Sequence, residues 1–344
     1  MNSTREKTVP SWTAAASLIL VSQLLSPAAL ADGGPYLTPL TDVNGNSAAD
    51  FAVLYQIPGR QAYVAEVLDG ATGEEISKIR YGKKHVPMLF WRAPDANGNG
   101  VPELVLVAVN SATGFTRVMV RDAMTGETVS NSTINKQYVP QEVGIGNGIS
   151  GITSPIAILG LKGDRTRVQI LDAAFGTNVI RQLYQAGQTP LMTTLARGAV
   201  AVLTKSDTNQ HRVVLKNLNS GLRINGFELF QLQSTIEMKK ISIAGREGLA
   251  ILGQDGTGKI VVQTHELPSG NFKRSLRFGP HTPLGLIILK DLNGNGGNDV
   301  AVLFRTDGGA YQAHVKDGKI IRFETDKGED PQIRACARGR AYRQ

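Results

Sequence analysis

Short runs of four apolar residues recur along the chain at intervals close to 50 residues. Each run lies between segments that contain Gly and polar residues. The first residues of successive runs are 53, 52, 44, 49 and 51 positions apart. Aliphatic runs bounded by turn residues in this way predict buried strands. The six copies are Phe51–Leu54, Leu104–Val107, Ile156–Leu159, Val200–Leu203, Leu249–Leu252 and Val300–Leu303.

A turn that ends in glycine follows each apolar run and provides a second marker of the repeat. Two markers in the same order, six times over, indicate one supersecondary unit repeated along the chain. The copies of this turn are Leu68–Gly73, Arg121–Gly126, Leu171–Gly176, Lys216–Gly221, Glu266–Gly270 and the shortened Lys316–Gly318.

Each repeat has room for four short strands, which the first repeat places at 35–41, 51–56, 61–68 and 74–81. Four strands in roughly 50 residues are typical of a propeller blade. A helical solenoid would require a 3.6-residue periodicity, which is missing. The sequence therefore predicts an all-β protein, a β-propeller of six blades with four antiparallel strands each, between about Tyr36 and Asp326.

The N-terminal segment 1–31 has the three parts of a secretory signal peptide. Arg5 and Lys7 precede a mostly apolar stretch at 12–25, and Ala29-Leu30-Ala31 forms an A-x-A cleavage site. The apolar stretch is shorter than the roughly 20 residues that a membrane-spanning helix needs. We expect cleavage before Asp32, a propeller domain at 32–326 and a basic tail at 327–344. The protein is then exported, either to the periplasm or to the outside of the cell.

Composition excludes several classes of protein. A single Cys rules out a disulfide scaffold and a multi-cysteine zinc site. The net charge of +8 is spread along 344 residues without an aromatic-interleaved basic stripe, which disfavours nucleic-acid binding. No segment after the N-terminal one is apolar enough to predict a transmembrane helix.

The loop before three of the apolar runs carries oxygen-bearing side chains at its positions 1, 3, 5 and 9. These side chains are Asp42, Asn44, Asn46 and Asp50 in the first loop, Asp95, Asn97, Asn99 and Glu103 in the second, and Asp291, Asn293, Asn295 and Asp299 in the last. The residues at position 7, which would add a main-chain carbonyl, are Ala48, Val101 and Gly297.

Alternate oxygens on a tight turn converge on one point, and a hard cation with six to eight oxygen ligands requires that arrangement. Because no His or Cys takes part, the donor set favours Ca²⁺ over zinc or copper. Two carboxylates per loop predict weak sites that fill near millimolar Ca²⁺. The alternative is an ordinary Asp/Asn/Gly turn. Three copies in register favour three calcium sites.

The motif D-x-N-G-N-x-x-x-D before an apolar A-V-L strand resembles the FG-GAP repeat of integrin α-subunit propellers and their bacterial secreted relatives. The resemblance covers nearly the whole of 32–326 as a repeat pattern. It implies a propeller fold and marks the oxygen-bearing residues above as calcium ligands. The other three repeats depart from the motif: Asn147–Pro155 has no carboxylate, and Leu195–Ala199 and Ala244–Gly248 are too short to wrap an ion.

Two classes of function remain open at this point. One is a propeller that binds a protein or a glycan, with calcium stiffening one face. The other is an exported hydrolase, lyase or quinone-dependent dehydrogenase, or a lectin. The five His residues have no ligand or catalytic spacing, and no G-x-S-x-G elbow is present. The sequence thus favours the binding module, predicts no catalytic residue and leaves the oligomeric state open.

Overall fold

The computed structural model describes residues 36–317 except 59, 61, 135–137, 147–151, 164, 185–187, 197, 292–295 and 306–310. The expected signal peptide at 1–31 and the basic tail at 327–344 lie outside the described residues. Within them the chain forms β-strands and turns without helices, so no helix there is able to span a membrane. The prediction of an all-β fold is confirmed.

Twenty-three described strands form six antiparallel sheets that follow one another along the chain. The first sheet contains β1 (Tyr36–Pro39), β2 (Phe51–Gln56), β3 (Tyr63–Leu68) and β4 (Glu75–Tyr81). The second contains β5 (His85–Ala93), β6 (Glu103–Asn110), β7 (Thr116–Asp122) and β8 (Thr128–Ile134). The third contains β9 (Val139–Ile145), β10 (Pro155–Lys162), β11 (Arg165–Asp172) and β12 (Asn178–Tyr184).

The remaining three sheets have the same organisation. The fourth contains β13 (Gln188–Ala196), β14 (Ala199–Ser206), β15 (His211–Asn217) and β16 (Arg223–Glu228). The fifth contains β17 (Ser234–Ile243), β18 (Arg246–Gln254), β19 (Ile260–Glu266) and β20 (Phe272–Gly279). The sixth contains β21 (Thr282–Leu289), β22 (Asp299–Arg305) and β23 (Tyr311–Asp317). A fourth strand of this sheet, which the repeat predicts, would fall beyond residue 317 and thus outside the described residues.

Each sheet is a meander in which hydrogen-bonded neighbours are consecutive in the chain. The first strand of one sheet contacts the first strand of the next, in the series β1, β5, β9, β13, β17 and β21. First strands are therefore innermost and the later strands of each sheet lie progressively outward. This radial arrangement is a six-bladed β-propeller, as the repeat count predicts.

The hydrophobic core lies between the blades rather than in one central mass. Each of five apolar clusters is shared by two successive blades. In blades 2 to 5 the second strand is apolar on both faces because a neighbouring blade covers each face. In β6, for example, Leu104–Ala108 is fully buried along its whole length. This double burial explains why the apolar run was the clearest marker of the repeat.

The glycine-ended marker is the hairpin turn between the third and fourth strands. We call these the outer turns; they are 69–73, 122–126, 172–176, 217–221 and 266–270 in blades 1 to 5. Their final glycines all have φ between 66° and 76°, where only glycine is unstrained. Each outer turn from blade 2 onward also packs on the fourth strand of the preceding blade. Gln182 Nε2 of β12, for instance, donates to the carbonyl of Asn217 at 3.1 Å.

Candidate metal centre

Loop 1 (residues 42–50) joins β1 to β2 and is organised by its first carboxylate. Asp42 Oδ1 accepts hydrogen bonds from the amides of Gly45 at 2.7 Å and Asn46 at 3.1 Å. Asp42 Oδ2 accepts from the amide of Ser47 at 2.6 Å. Three amides that converge on one carboxylate wind the chain into a tight turn, with Gly45 at a φ of 81°.

The two asparagines of loop 1 form hydrogen bonds through both the oxygen and the nitrogen of their side-chain amides. Asn44 Oδ1 accepts from the amide of Asn46 at 3.1 Å, and Asn46 Oδ1 accepts from the amide of Ala48 at 2.8 Å. Their Nδ2 groups donate to the same atom, Asp69 Oδ2, at 2.7 and 2.5 Å. Asp69 begins the outer turn of the same blade. It therefore turns both amide oxygens toward the loop backbone.

The last carboxylate of loop 1 closes its base. Asp50 is buried, and its Oδ2 accepts from the amide of Val43 at 2.6 Å. Its Oδ1 accepts from the amide of Gly70 in the outer turn at 3.0 Å. Asp50 thus joins the start of the loop to the outer turn, so the loop and the turn form one unit.

Loop 2 (residues 95–103), between β5 and β6, repeats this arrangement atom by atom. Asp95 accepts from the amides of Gly98 and Gly100, each at 2.7 Å. Asn97 and Asn99 donate their Nδ2 groups to Asp122 Oδ2, the counterpart of Asp69. Two loops with different sequences have therefore folded onto the same pattern of contacts.

Loop 2 differs from loop 1 at its last ligand position, where Glu103 replaces aspartate. The Glu103 side chain is fully buried and accepts from the amides of Ala96 at 2.8 Å and Asn97 at 3.2 Å. Burial raises the pKa of Glu103 to about 7, and the negative charges of Asp95 and Asp122 also raise it. The hydrogen bonds from Ala96 and Asn97 act in the opposite direction and lower it. The base of loop 2 is thus electronegative and would be stabilised by a cation.

Asp69 and Asp122 have the opposite electrostatic character. Burial opposes the ionisation of Asp69, but hydrogen bonds from the Ala71 and Thr72 amides and from Asn44 outweigh it and lower the pKa of this carboxyl. The pKa of Asp122 is lowered in the same way against the effect of its burial. Both residues are therefore ionised anchors for the loop asparagines.

Loop 6 (residues 291–299) is described in part, and Asn293 and Asn295 lie outside the described residues. Asp291 Oδ2 accepts from the amide of Gly296 at 2.5 Å. Asp42 and Asp95 make the same contact with the amide at the sixth position of their loops. Asp299 is buried like Asp50. The amide of Gly245 in the β17–β18 turn donates to the carbonyl of Gly296 at 3.1 Å, which brings loop 6 against blade 5.

Loops 1 and 2 offer oxygens with unused lone pairs. A carboxylate has about four acceptor sites and an amide oxygen two, and the contacts above occupy two on Asp50 and one on each asparagine oxygen. Among the described residues no three His, Cys, Asp or Glu side chains form a metal cluster by themselves. A cation in loop 1 would therefore also need the asparagine oxygens and a carbonyl such as that of Ala48.

The connections between first and second strands in blades 4 and 5 are too short for such a loop, and that of blade 3 is described only in part. In blade 3, Asp172 of the outer turn accepts from the amides of Thr153 at 3.4 Å and Ala174 at 3.0 Å. In blade 5, β17 ends at Ile243 and β18 begins at Arg246, so the connection is a two-residue turn. The anchoring role of Asp69 and Asp122 is not among the roles predicted from the sequence. Their recurrence at one position of the glycine-ended marker was the available signal.

Comparisons with known proteins establish the fold. No protein-family model and no curated protein matches the sequence. BBS1N, in a structure with ARL6DN, has a TM-score of 0.53 and 14% identity over 76% of this chain and 73% of that chain. The Dos1 propeller has a TM-score of 0.53 and 11% identity over 81% and 67% of the two chains. At such identities the likeness concerns fold alone.

A third structure, from an analysis of two prolyl endopeptidases, has a TM-score of 0.53 and 17% identity. The alignment covers 86% of this chain but only 42% of that chain. The class of protein is therefore a β-propeller with loops of the D-x-N-G-N type on one face of blades 1 and 2.

Proposed function

We propose that the protein is an exported calcium-binding propeller of the FG-GAP type that acts as an interaction module for a protein or a glycan. The matched hydrogen bonds of loops 1 and 2 are the main support for calcium. In both loops an ionised aspartate of the outer turn fixes two asparagine amides, so that their oxygens face the loop in which the first and last carboxylates also lie.

The calcium ions have a structural role in this proposal. Each loop is already bonded to the outer turn of its blade, and a bound cation would hold the carboxylates that repel one another around Glu103. Loops between first and second strands lie on the same face of a meander as turns between third and fourth strands. Calcium would therefore stiffen that face of the propeller.

Exposed apolar side chains on or beside the outer turns support a role in binding. Phe175 is 73% exposed and Leu222 is 71% exposed, and they belong to neighbouring blades 3 and 4. Met124 and Phe272 are also exposed at the outer turns of blades 2 and 5. A contiguous apolar patch on a surface is typical of a contact site, and in this proposal the four side chains contribute to one such surface.

Calorimetry and thermal melting test the calcium sites. At ten times Kd each site contributes about 1.4 kcal/mol of stability, so three sites would contribute about 4 kcal/mol. We expect EDTA to lower the Tm and Ca²⁺ to restore it better than Mg²⁺, whose octahedral shell is small. The double variant Asp42→Ala/Asp50→Ala should lose the share of one site. Asp207→Ala, in the turn between β14 and β15, is the matched control and should keep the full response.

The calcium proposal is wrong if millimolar Ca²⁺ gives no heat of binding and EDTA leaves the Tm unchanged. Export has a separate test, because N-terminal sequencing of the mature protein should find Asp32 or a residue beside it. Mature protein that begins at Met1 would exclude the signal peptide.

The contact surface is tested with apolar-to-polar variants and a glycan array or cross-linking in the native compartment. Phe175→Ser combined with Leu222→Ser should abolish at least one interaction that the unaltered protein makes. Leu183→Ser is the control, since Leu183 is 64% exposed but lies at the far end of β12 from the outer turn. Equal binding by all three proteins would argue against a surface at the outer turns.

A further inference from the structure

The dipeptide Asn-Gly occurs seven times in the chain, and the structure describes both residues in four of these pairs. Asparagine before glycine loses its side-chain amide readily, because the glycine has no Cβ to shield its nitrogen. That nitrogen attacks Cγ of the asparagine, so its position and its charge environment decide which pairs react in the folded protein. The four pairs are Asn44–Gly45, Asn97–Gly98, Asn99–Gly100 and Asn225–Gly226.

The three pairs in loops 1 and 2 are arranged against this reaction. Each glycine amide donates at 2.7 Å to the first carboxylate of its loop, Gly45 to Asp42, and Gly98 and Gly100 to Asp95. The asparagine Oδ1 atoms accept from other amides, two positions further along the chain. A negative charge beside the glycine nitrogen opposes the loss of its proton, and the protonated nitrogen is not a nucleophile. We therefore expect these pairs to be stable in the folded protein.

The pair Asn225–Gly226 on β16 has the opposite arrangement. The Gly226 amide donates to Oδ1 of Asn225 itself at 2.8 Å, so the nitrogen lies beside the carbonyl group that it would attack. β16 is the last strand of its sheet and pairs with β15 on one side. Its register with β15 shifts next to Asn225, between Leu215 and Lys216. A strand interrupted in this way is less constrained than the interior of a sheet, which favours ring closure.

Two arginines place positive charge at the same peptide. A Cβ at Gly226 would lie 2.7 Å from Nη2 of Arg223 and 3.2 Å from Nε of Arg212, and this Nε is buried without a hydrogen-bond partner. Glu228 is opposite Arg212 in the strand register. The ion pairs of the described residues nevertheless include neither arginine. Positive charge stabilises a deprotonated nitrogen and the oxyanion that forms at Cγ.

We propose that Asn225 is a site of spontaneous covalent modification, with water as the co-reactant. Hydroxide removes the proton of the Gly226 amide, and the nitrogen attacks Cγ of Asn225. The new N–Cγ bond closes a succinimide ring, the Cγ–Nδ2 bond breaks, and ammonia leaves with a proton from water. A water molecule then opens the ring at either of its carbonyl groups. The product is aspartate or isoaspartate, and no oxidant or reductant takes part.

The modification acts on the junction between blades 4 and 5. Asn225 Nδ2 donates to the carbonyls of Ser269 at 2.5 Å and Pro268 at 3.3 Å, both in the outer turn of blade 5. The product has a carboxylate in place of this donor, and both carbonyl oxygens repel it. Isoaspartate also lengthens the backbone of β16 by one methylene. The junction is therefore weakened as the protein ages, independently of calcium and of any partner.

Peptide mapping by mass spectrometry tests the site after incubation of the full chain in mildly alkaline buffer with EDTA. In the native protein Asn225 should be modified about tenfold faster than Asn44 or Asn97. In guanidinium chloride, where the sequence alone sets the rates, the three asparagines should react at similar rates. The proposal is overturned if native Asn225 reacts no faster than Asn97, each rate being taken relative to that in guanidinium chloride.

Three variants test the cause and the consequence. Arg223→Gln should slow the modification of native Asn225 by about threefold or more. Arg80→Gln, at an exposed position on β4 of blade 1, should leave the rate unchanged. Equal rates in these two variants would overturn the role of the arginines. The urea midpoint of the unaltered protein should fall during incubation, whereas that of Asn225→Gln should stay constant. Equal losses in both proteins would exclude an effect of this site on the junction.

Discussion

At the scale of single residues, Asp122 and its counterpart Asp69 have the greatest structural importance in the candidate metal centre. Asp122 is fully buried and accepts from the side-chain amides of Asn97 and Asn99 and from the backbone amides of Met124 and Thr125. One carboxylate thus holds a loop and a turn that are far apart in the sequence.

We predict that Asp122→Ala destabilises the protein by about 1–3 kcal/mol, since it leaves several donors without their acceptor. Urea denaturation in the absence of calcium measures this cost. The variant should also bind calcium more weakly than the unaltered protein, because the asparagine amides lose their fixed orientation. A variant as stable as the parent would show that the loop and the turn are held by other contacts.

Glu142, on the innermost strand β9, predicts a pH dependence. Burial raises the pKa of this carboxyl to about 7, and Glu237 adds to the effect while Lys239 opposes it. The folded state therefore keeps its proton where the unfolded chain has lost it. Stability should fall as pH rises from about 4.5 to about 7 and then level off. The upper bound is about 3 kcal/mol, and the partial accessibility of Glu142 to solvent should reduce it.

Glu142→Gln removes this dependence, so the difference in unfolding free energy between variant and parent should grow from pH 5 to pH 7. Glu127→Gln, at an exposed position in the outer turn region of blade 2, is the control. Parallel pH profiles for all three proteins would contradict the interpretation of Glu142.

At the scale of elements, the sequence predicted the apolar second strands well. The segment expected at 51–56 is β2 without any shift, because the buried side chains of Ala52 and Leu54 alternate with half-buried apolar ones up to the polar, exposed Gln56. The segment expected at 35–41 includes β1 (Tyr36–Pro39), and its last two residues, Leu40 and Thr41, belong to the connection to β2. The contacts of Asn44 and Asn46 with Asp69 link residues more than 20 positions apart. No local pattern encodes such contacts.

The same limit applies to the burial of Arg167. Arg117 and Arg167 occupy equivalent positions in their repeats, and nothing in the sequence distinguishes an exposed from a buried arginine. Burial arises from the Tyr138 ring and the side chains of the preceding blade. These are properties of the junction between blades, which the repeat pattern does not specify.

The glycines of the outer turns adopt a positive φ and also leave room for the neighbouring blade. Two variants separate these two roles. Gly176 and Gly163 both have positive φ, so alanine costs about 1–2 kcal/mol at each through the backbone. A Cβ at Gly176 would also lie 3.1 Å from the carbonyl oxygen of Asn131 in blade 2, whereas one at Gly163 would meet nothing within 4 Å. We expect Gly176→Ala to lower the free energy of unfolding by about 1–3 kcal/mol more than Gly163→Ala does. Equal urea midpoints would contradict a tight junction.

At the scale of the whole molecule, the propeller is a series of similar junctions between successive blades. An apolar cluster lies at the centre of each of the five described junctions, and an outer turn closes the periphery of the first four. At the junction of blades 4 and 5, for example, Asn225 Nδ2 of β16 donates to the carbonyls of Pro268 and Ser269 in the outer turn of blade 5. Because each junction is built from a similar set of contacts, the free energy of folding is distributed along the ring of blades.

The outer turns also couple the stability of each blade to that of its neighbour. Ser77 of β4 donates to the carbonyl of Ala123, and Ser130 of β8 donates to that of Ala173, so the outer turns of blades 2 and 3 cover the peripheral strands of blades 1 and 2. Loss of one blade therefore leaves the peripheral strand of the preceding blade without its cover. Partial unfolding that begins in a single blade is thus expected to spread to that neighbour.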